Sequence, residues 1–270
     1  MRTSKVVVSL LGAGLLLGGC SKAERGDLFA SKSGLLKISA EVSARYPDLV
    51  ATPAASVYLK QNGRKVEFRF SNTIGNAGPG HLQIRAVPKG SKTAASQEIM
   101  DDAGQIVQNR MVGEFTYHPT HQHTHLDAVC NYELRRGSPT GPLVRQAEKV
   151  SFCMTDTIPY GTGGVVRRYA ECQPNLQGIS SGWADVYGSE VPEQDLDVAG
   201  LPAGEYYLLI VLDPHRKFIE SNTSNNTSWI RVYLDPANLR VNRLGASSEV
   251  SSEITGDGRF WRPFWRRGGE

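Results

Sequence analysis

Apolar and polar residues alternate through the middle of the chain with the period of a strand. Val57 and Leu59 are spaced by polar residues up to Asn62-Gly63, and Val66, Phe68 and Phe70 resume the pattern beyond it. Side chains two apart share one face of a strand, and Asn-Gly accepts the positive φ angles of a tight hairpin turn. This stretch therefore predicts a β-hairpin. Further strand-like runs are Leu82 to Val87, Lys149 to Met154, Tyr206 to Asp213 and Trp229 to Leu234, parted by turns such as Leu201-Pro202-Ala203-Gly204-Glu205. Nowhere do apolar residues keep up the three-and-four spacing of an amphipathic helix. The pattern predicts an all-β fold: a β-sandwich-like single domain with long loops and little helix.

The two ends depart from this pattern. Met1 to Lys5 is basic, Val6 to Leu17 is apolar and Gly18-Gly19 is small, the layout of a signal segment over residues 1–20. The apolar stretch is short for a membrane span. Leu17-Gly18-Gly19-Cys20 resembles the lipobox of bacterial lipoproteins, which implies lipidation at Cys20 and a place in the cell envelope, at the outer membrane or the cell surface. Such a protein is anchored to the bilayer without crossing it. Residues 21–46 read as a linker, 47–237 as the globular domain, and 238–270 as a second linker with a basic aromatic tail. The Trp and Arg residues between Arg259 and Arg267 suit a membrane interface, or else an arm packed on its own domain. A net charge of +3, carried mostly by the ends, does not point to nucleic acid.

Cys130, Cys153 and Cys172 remain once Cys20 is set aside. An odd number in an oxidising compartment gives one disulfide and one free thiol, with the pairing open.

The strongest chemical signal is the run Tyr117-His118-Pro119-Thr120-His121-Gln122-His123-Thr124-His125, which holds four of the six histidines. In a strand, His121, His123 and His125 would share one face at about 6.6 Å intervals and could converge on one ion. Imidazole suits copper, zinc, iron and nickel, with copper bound most tightly among the common divalent ions. His118 stands at an odd offset from the triplet, and this spacing gives it at most an outer role.

That run, followed by Tyr132-Glu133-Leu134, resembles the copper-binding segment of the lysyl oxidase family. Other stretches agree in order. Pro47-Asp48-Leu49-Val50 resembles the start of the family's domain, and Glu148 to Thr157 its segment bearing the cofactor lysine. Arg167-Arg168-Tyr169-Ala170, Gln177-Gly178 and Asp185-Val186-Tyr187-Gly188 resemble the stretch that ends in the cofactor tyrosine. Leu201 to Leu208 and Glu220 to Asn226 complete a likeness that covers about 47 to 234.

The resemblance implies copper held by His121, His123 and His125, and a lysine tyrosylquinone made from Lys149 and Tyr187. It implies calcium held by Asp48, the Leu49 carbonyl, Glu220, Asn222, Asn225 and Asn226. It further implies an amine oxidase that turns primary amines, peptidyl lysine among them, into aldehydes, using O2 and releasing hydrogen peroxide and ammonia. Calcium takes six to eight oxygen ligands, and two carboxylates with three amides are a fitting set. Asn222 stands where the family often has an acid, which should weaken that site. Asp185, two residues before Tyr187, would share its strand face and is the candidate general base. Thr120 replaces the family's cysteine before the triplet, so Cys130 or Cys153 is left to partner Cys172. The rival reading is a copper-binding surface lipoprotein with no enzymatic activity, which would keep the histidines but have no use for Lys149 and Tyr187.

Overall fold

A computed structural model describes residues 43–119, 122–161 and 166–248, with backbone alone at 148–150. The signal segment with Cys20, most of the first linker and the aromatic tail lie outside the described residues, as does His121. The described residues are almost entirely strand and loop, and none of their helices is long and apolar enough to cross a membrane. The strands are β1 (Ala44–Arg45), β2 (Leu49–Ala51), β3 (Val57–Asn62), β4 (Lys65–Phe70), β5 (Asn72–Asn76) and β6 (Leu82–Lys89). There follow β7 (Lys92–Asp101), β8 (Ile106–His118), β9 (His123–Arg136), β10 (Leu143–Phe152), β11 (Ile158–Pro159) and β12 (Leu176–Ile179). The last are β13 (Trp183–Tyr187), β14 (Asp195–Asp197), β15 (Gly204–Leu212), β16 (Thr227–Asp235) and β17 (Arg240–Ala246).

They form three antiparallel sheets. The largest runs β12-β6-β7-β8-β9-β15-β16-β17, with β1 added to β7 and β10 to β9. The second is β11-β13-β5-β2 and the third β14-β4-β3. One apolar cluster joins all three: Leu49 and Ile74 come from the second sheet, Phe68 and Phe70 from the third, and Leu126, Leu134 and Ile210 from the first. The all-β class follows directly from the alternation in the sequence. The Asn62-Gly63 hairpin forms as the pattern predicts, pairing Val57 with Phe70 and closing at Asn62 and Lys65, with Gly63 at φ 58°.

Strand β9 organises the molecule. One of its edges takes β8 near His123 and then β15 from Cys130 onward, while the other takes β10. The switch coincides with Ala128 at φ 59°, a left-handed residue that kinks the strand. This kink lets the histidine end of β9 meet β8 and the end of β10 together.

Candidate metal and redox centre

His118 and His123 face each other on paired strands, so these two histidines do not lie along a single strand. Of the described histidines in the run, His123 and His125 lie in β9, and His118 ends β8 directly opposite His123. Gln122 closes the turn at φ 57°, and its amide donates to the His118 carbonyl at 2.8 Å. His123 and His125 share a face as the alternation predicts, their ring centroids 4.6 Å apart. Their Nε2 atoms approach to 2.7 Å, so both rings aim at one point. Metal–imidazole bonds of about 2.0 Å bring two ring nitrogens to roughly 3 Å of one another, so this pair fits a shared ion. His123 and His125 alone do not make a cluster of three His, Cys, Asp or Glu donors among the described residues.

The pairing of β8 with β9 gives His118 a place that its odd offset in the sequence does not. Its ring stacks on His125 at 5.0 Å, and its Nε2 stands 3.6 Å from the Glu193 carboxylate. His125 is nearly buried, and its Nδ1 lies 2.9 Å from the Ser151 hydroxyl on β10. A partner on Nδ1 fixes the ring's orientation and leaves Nε2 for a metal. Ser151 was legible only as one letter of a motif.

Tyr187 ends β13 and meets the chain at the last residue of β10 and the residue just beyond it. Its hydroxyl donates to the Cys153 carbonyl at 2.8 Å, and its ring meets Phe152 edge-on at 4.5 Å. Burial, then the Asp185 carboxylate, raises its phenol well above the ordinary range. Lys149 lies in β10, two residues before Ser151. The chain path His125–Ser151–Phe152–Tyr187 thus links the imidazoles to the tyrosine through one strand. After Tyr187, the Arg69 guanidinium grips the loop, donating to the Ser189 carbonyl at 2.7 Å and also to that of Val191. Gln194 from the same loop donates to the buried Tyr132 hydroxyl at 2.7 Å.

Asp185 is 2 % exposed. One carboxylate oxygen accepts from the Thr157 hydroxyl at 3.0 Å and the Thr155 hydroxyl at 3.4 Å, while the other has no hydrogen-bond partner. Burial pushes its pKa up to about 7, against the opposing pull of the Thr157 bond. A carboxylic acid poised there suits proton transfer near neutral pH.

Nearby, Asp156 has a different task. Its carboxylate accepts from the backbone amides of Arg168 (2.9 Å), Tyr169 (2.9 Å) and Ser180 (2.7 Å) and from the Ser180 hydroxyl (2.7 Å). This fully buried group binds the segment after β10 to two distant stretches. The Cys153–Cys172 disulfide adds a covalent tie beside it, and Cys130 is left free and buried in the core.

A second polar cluster joins the start of the domain to the loop after β15. Leu49 N donates to Glu220 at 3.0 Å, Asn226 Nδ2 donates to the other Glu220 oxygen at 2.6 Å, and Asn225 Nδ2 donates to Asp48 at 2.8 Å. The amide oxygens of Asn225 and Asn226 are buried without partners. Unpaired oxygens beside two carboxylates fit a hard cation such as calcium. Burial pushes Glu220 up to about 7. Asn222 is exposed, and its side-chain oxygen accepts from the Ser224 amide at 3.0 Å and hydroxyl at 2.7 Å.

Comparison with known proteins bears on this site. The family model described as lysyl oxidase matches residues 96–243, which span β8 to β16 and include the histidine run, Lys149, Ser151, Asp185 and Tyr187. Lysyl oxidase homolog 1 of Homo sapiens is 33% identical over 123 residues, covering 45% of this chain and 21% of that protein. Protein-lysine 6-oxidase of Gallus gallus is 36% identical over 112 residues, covering 41% of this chain and 26% of that protein. Lysyl oxidase homolog 3B of Danio rerio is 33% identical over 140 residues, covering 52% of this chain and 17% of that protein. The matched part therefore spans about a quarter or less of these relatives' own length.

Proposed function

The chain belongs to the lysyl oxidase family, and from that membership we propose that it is a copper-dependent amine oxidase acting on primary amines, peptidyl lysine among them. The observation that supports this most is the convergence of the His123 and His125 Nε2 atoms at 2.7 Å, beside the strand that leads to Tyr187. In this reading His121, His123 and His125 hold copper, and Lys149 and Tyr187 furnish a lysine tyrosylquinone. No ordinary side chain accepts electrons from an amine. Together the two groups supply that capacity, so that amine, O2 and water yield aldehyde, ammonia and hydrogen peroxide.

The chain's own residues do the rest. Ser151 orients His125 through Nδ1. Asp185 takes the proton from the substrate carbon next to nitrogen, a step that a placed base accelerates by about 10²–10⁴-fold. Thr155 and Thr157 hold one oxygen of that carboxylate and leave the other available. The Phe152 ring covers one side of Tyr187 and excludes water there. Calcium at Asp48, the Leu49 carbonyl, Glu220, Asn222, Asn225 and Asn226 would tie the domain's start to a late loop. Lipidation at Cys20 would place the domain in the bacterial envelope, where copper and O2 reach it.

Peroxide release from a panel of primary amines, measured on the copper-loaded full chain, tests the proposal. Tyr187→Phe and Lys149→Ala should each abolish peroxide while copper stays bound. Full peroxide production by either variant would defeat the oxidase reading. Copper binding without peroxide in the parent chain would favour the non-enzymatic copper lipoprotein.

A further inference from the structure

Asn72 lies on β5 directly opposite Tyr187 on β13, so the two side chains leave the sheet on the same face. It is fully buried, and neither its amide nitrogen nor its amide oxygen has a hydrogen-bond partner. The amide leans toward the Tyr132 hydroxyl and favours its ionisation, but no hydrogen bond of proper geometry joins the two, and Gln194 donates to that hydroxyl at 2.7 Å. A buried amide with nothing to bind is costly, and asparagine is a poor strand former besides. A leucine would suit this position better if stability alone were at stake.

The expense makes sense against the chemistry expected of Tyr187. As a phenol it carries one oxygen, and its O–H donates to the Cys153 carbonyl. Oxidation of the ring replaces that donor with carbonyl oxygens, which only accept. The Cys153 carbonyl then faces another acceptor, and a buried ring oxygen needs a donor it did not need before. Asn72 Nδ2 is an unengaged donor opposite this very residue. Trp183 Nε1, another unpartnered donor on the same strand, is four residues away, roughly 13 Å.

We propose that Asn72 is a positioning residue for the oxidised form of Tyr187, its amide donating to a ring oxygen that the unmodified tyrosine lacks. The inference rests on the quinone reading above. It adds a residue from outside the stretch matched by the family model, and one that no motif marks.

The test uses the full chain with Asn72→Leu and Asn72→Ala, loaded aerobically with copper. Copper stoichiometry, thermal midpoint and the growth and wavelength of the hydrazine-reactive visible chromophore are read side by side. Both variants should bind copper as the parent does. Asn72→Leu should melt no lower than the parent, because it removes an unpartnered amide. The chromophore should form about tenfold more slowly in both, or absorb at a shifted wavelength, as expected for one lost hydrogen bond. Parent-like chromophore rate and wavelength in both variants would overturn the proposal. So would loss of folding and copper in both, which would make Asn72 a structural residue. A parent chain that forms no hydrazine-reactive chromophore would instead bring down the quinone reading on which the inference rests.

Discussion

Asp156 and Asp185 are both buried aspartates within reach of the same sheet, and they could hardly differ more. Asp156 spends both oxygens on three backbone amides and a hydroxyl. Asp185 receives two hydroxyls on one oxygen, none on the other, and has its pKa pushed up to about 7. A carboxylate with every lone pair engaged holds a structure together. One left half-engaged in a dry site is available to take a proton. Burial alone therefore says nothing about role, and the accounting of hydrogen bonds does.

Replacing each aspartate is the sharpest way to break this comparison. Asp185→Asn should lower kcat/KM for amines by about 10²–10⁴-fold, with copper content and fold intact. In the parent, kcat/KM should rise as pH increases through about 7, where Asp185 loses its proton, and the variant should lose that limb. Stability should run the opposite way. The folded carboxyl keeps its proton up to about pH 7, whereas the unfolded one releases it near 3.8. Between those values the native state binds more protons, so stability falls as pH rises through that window. Asp185→Asn should flatten this slope in urea titrations. Asp156→Ala should do the reverse of Asp185→Asn, costing at least about 3 kcal/mol in urea denaturation because three amides lose a charged acceptor.

Smaller effects sharpen the same contrast elsewhere. Calcium at about 100 times its Kd should add about 2.7 kcal/mol to unfolding free energy through Asp48 and Glu220. A melting temperature indifferent to both calcium and chelator would remove that site. Ser151→Ala should weaken copper binding by roughly ten- to a hundredfold in competition titrations, since His125 loses the partner that orients it. Unchanged affinity would show that the ring is held by packing alone.

What the sequence disclosed depended on how faithfully each element kept its period. The hairpin at Asn62-Gly63 and the alternation in β16 were readable, as were the apolar runs of β6 and β15 between their turns. The longest strands were not. In β9 the left-handed Ala128 shifts the phase, so its inward residues follow no single alternation. Strand β7 is buried through polar residues: Gln97 exchanges two hydrogen bonds with Ile219, and Glu98 takes Gln83 and Arg85. Such satisfied polar burial looks like a loop in a one-dimensional reading.

The centre was legible in the same uneven way. His123 and His125 follow from strand alternation. The stacking of His118 follows from a strand register that spacing cannot supply, because the pairing brings an odd offset onto the same face. The disulfide pairing was open among three cysteines until the fold set Cys153 beside Cys172 and buried Cys130. Asn72 is 115 residues from Tyr187 and meets it only through sheet pairing.

The central claim is that Lys149 and Tyr187 become one cofactor beside the histidines. Peptide mapping by mass spectrometry after aerobic copper loading addresses it most directly. The account predicts that the separate Lys149 and Tyr187 peptides vanish and return as a single crosslinked species, and that this species is absent without copper or with Tyr187→Phe. Persistence of both unmodified peptides in a chain that still oxidises amines would contradict it.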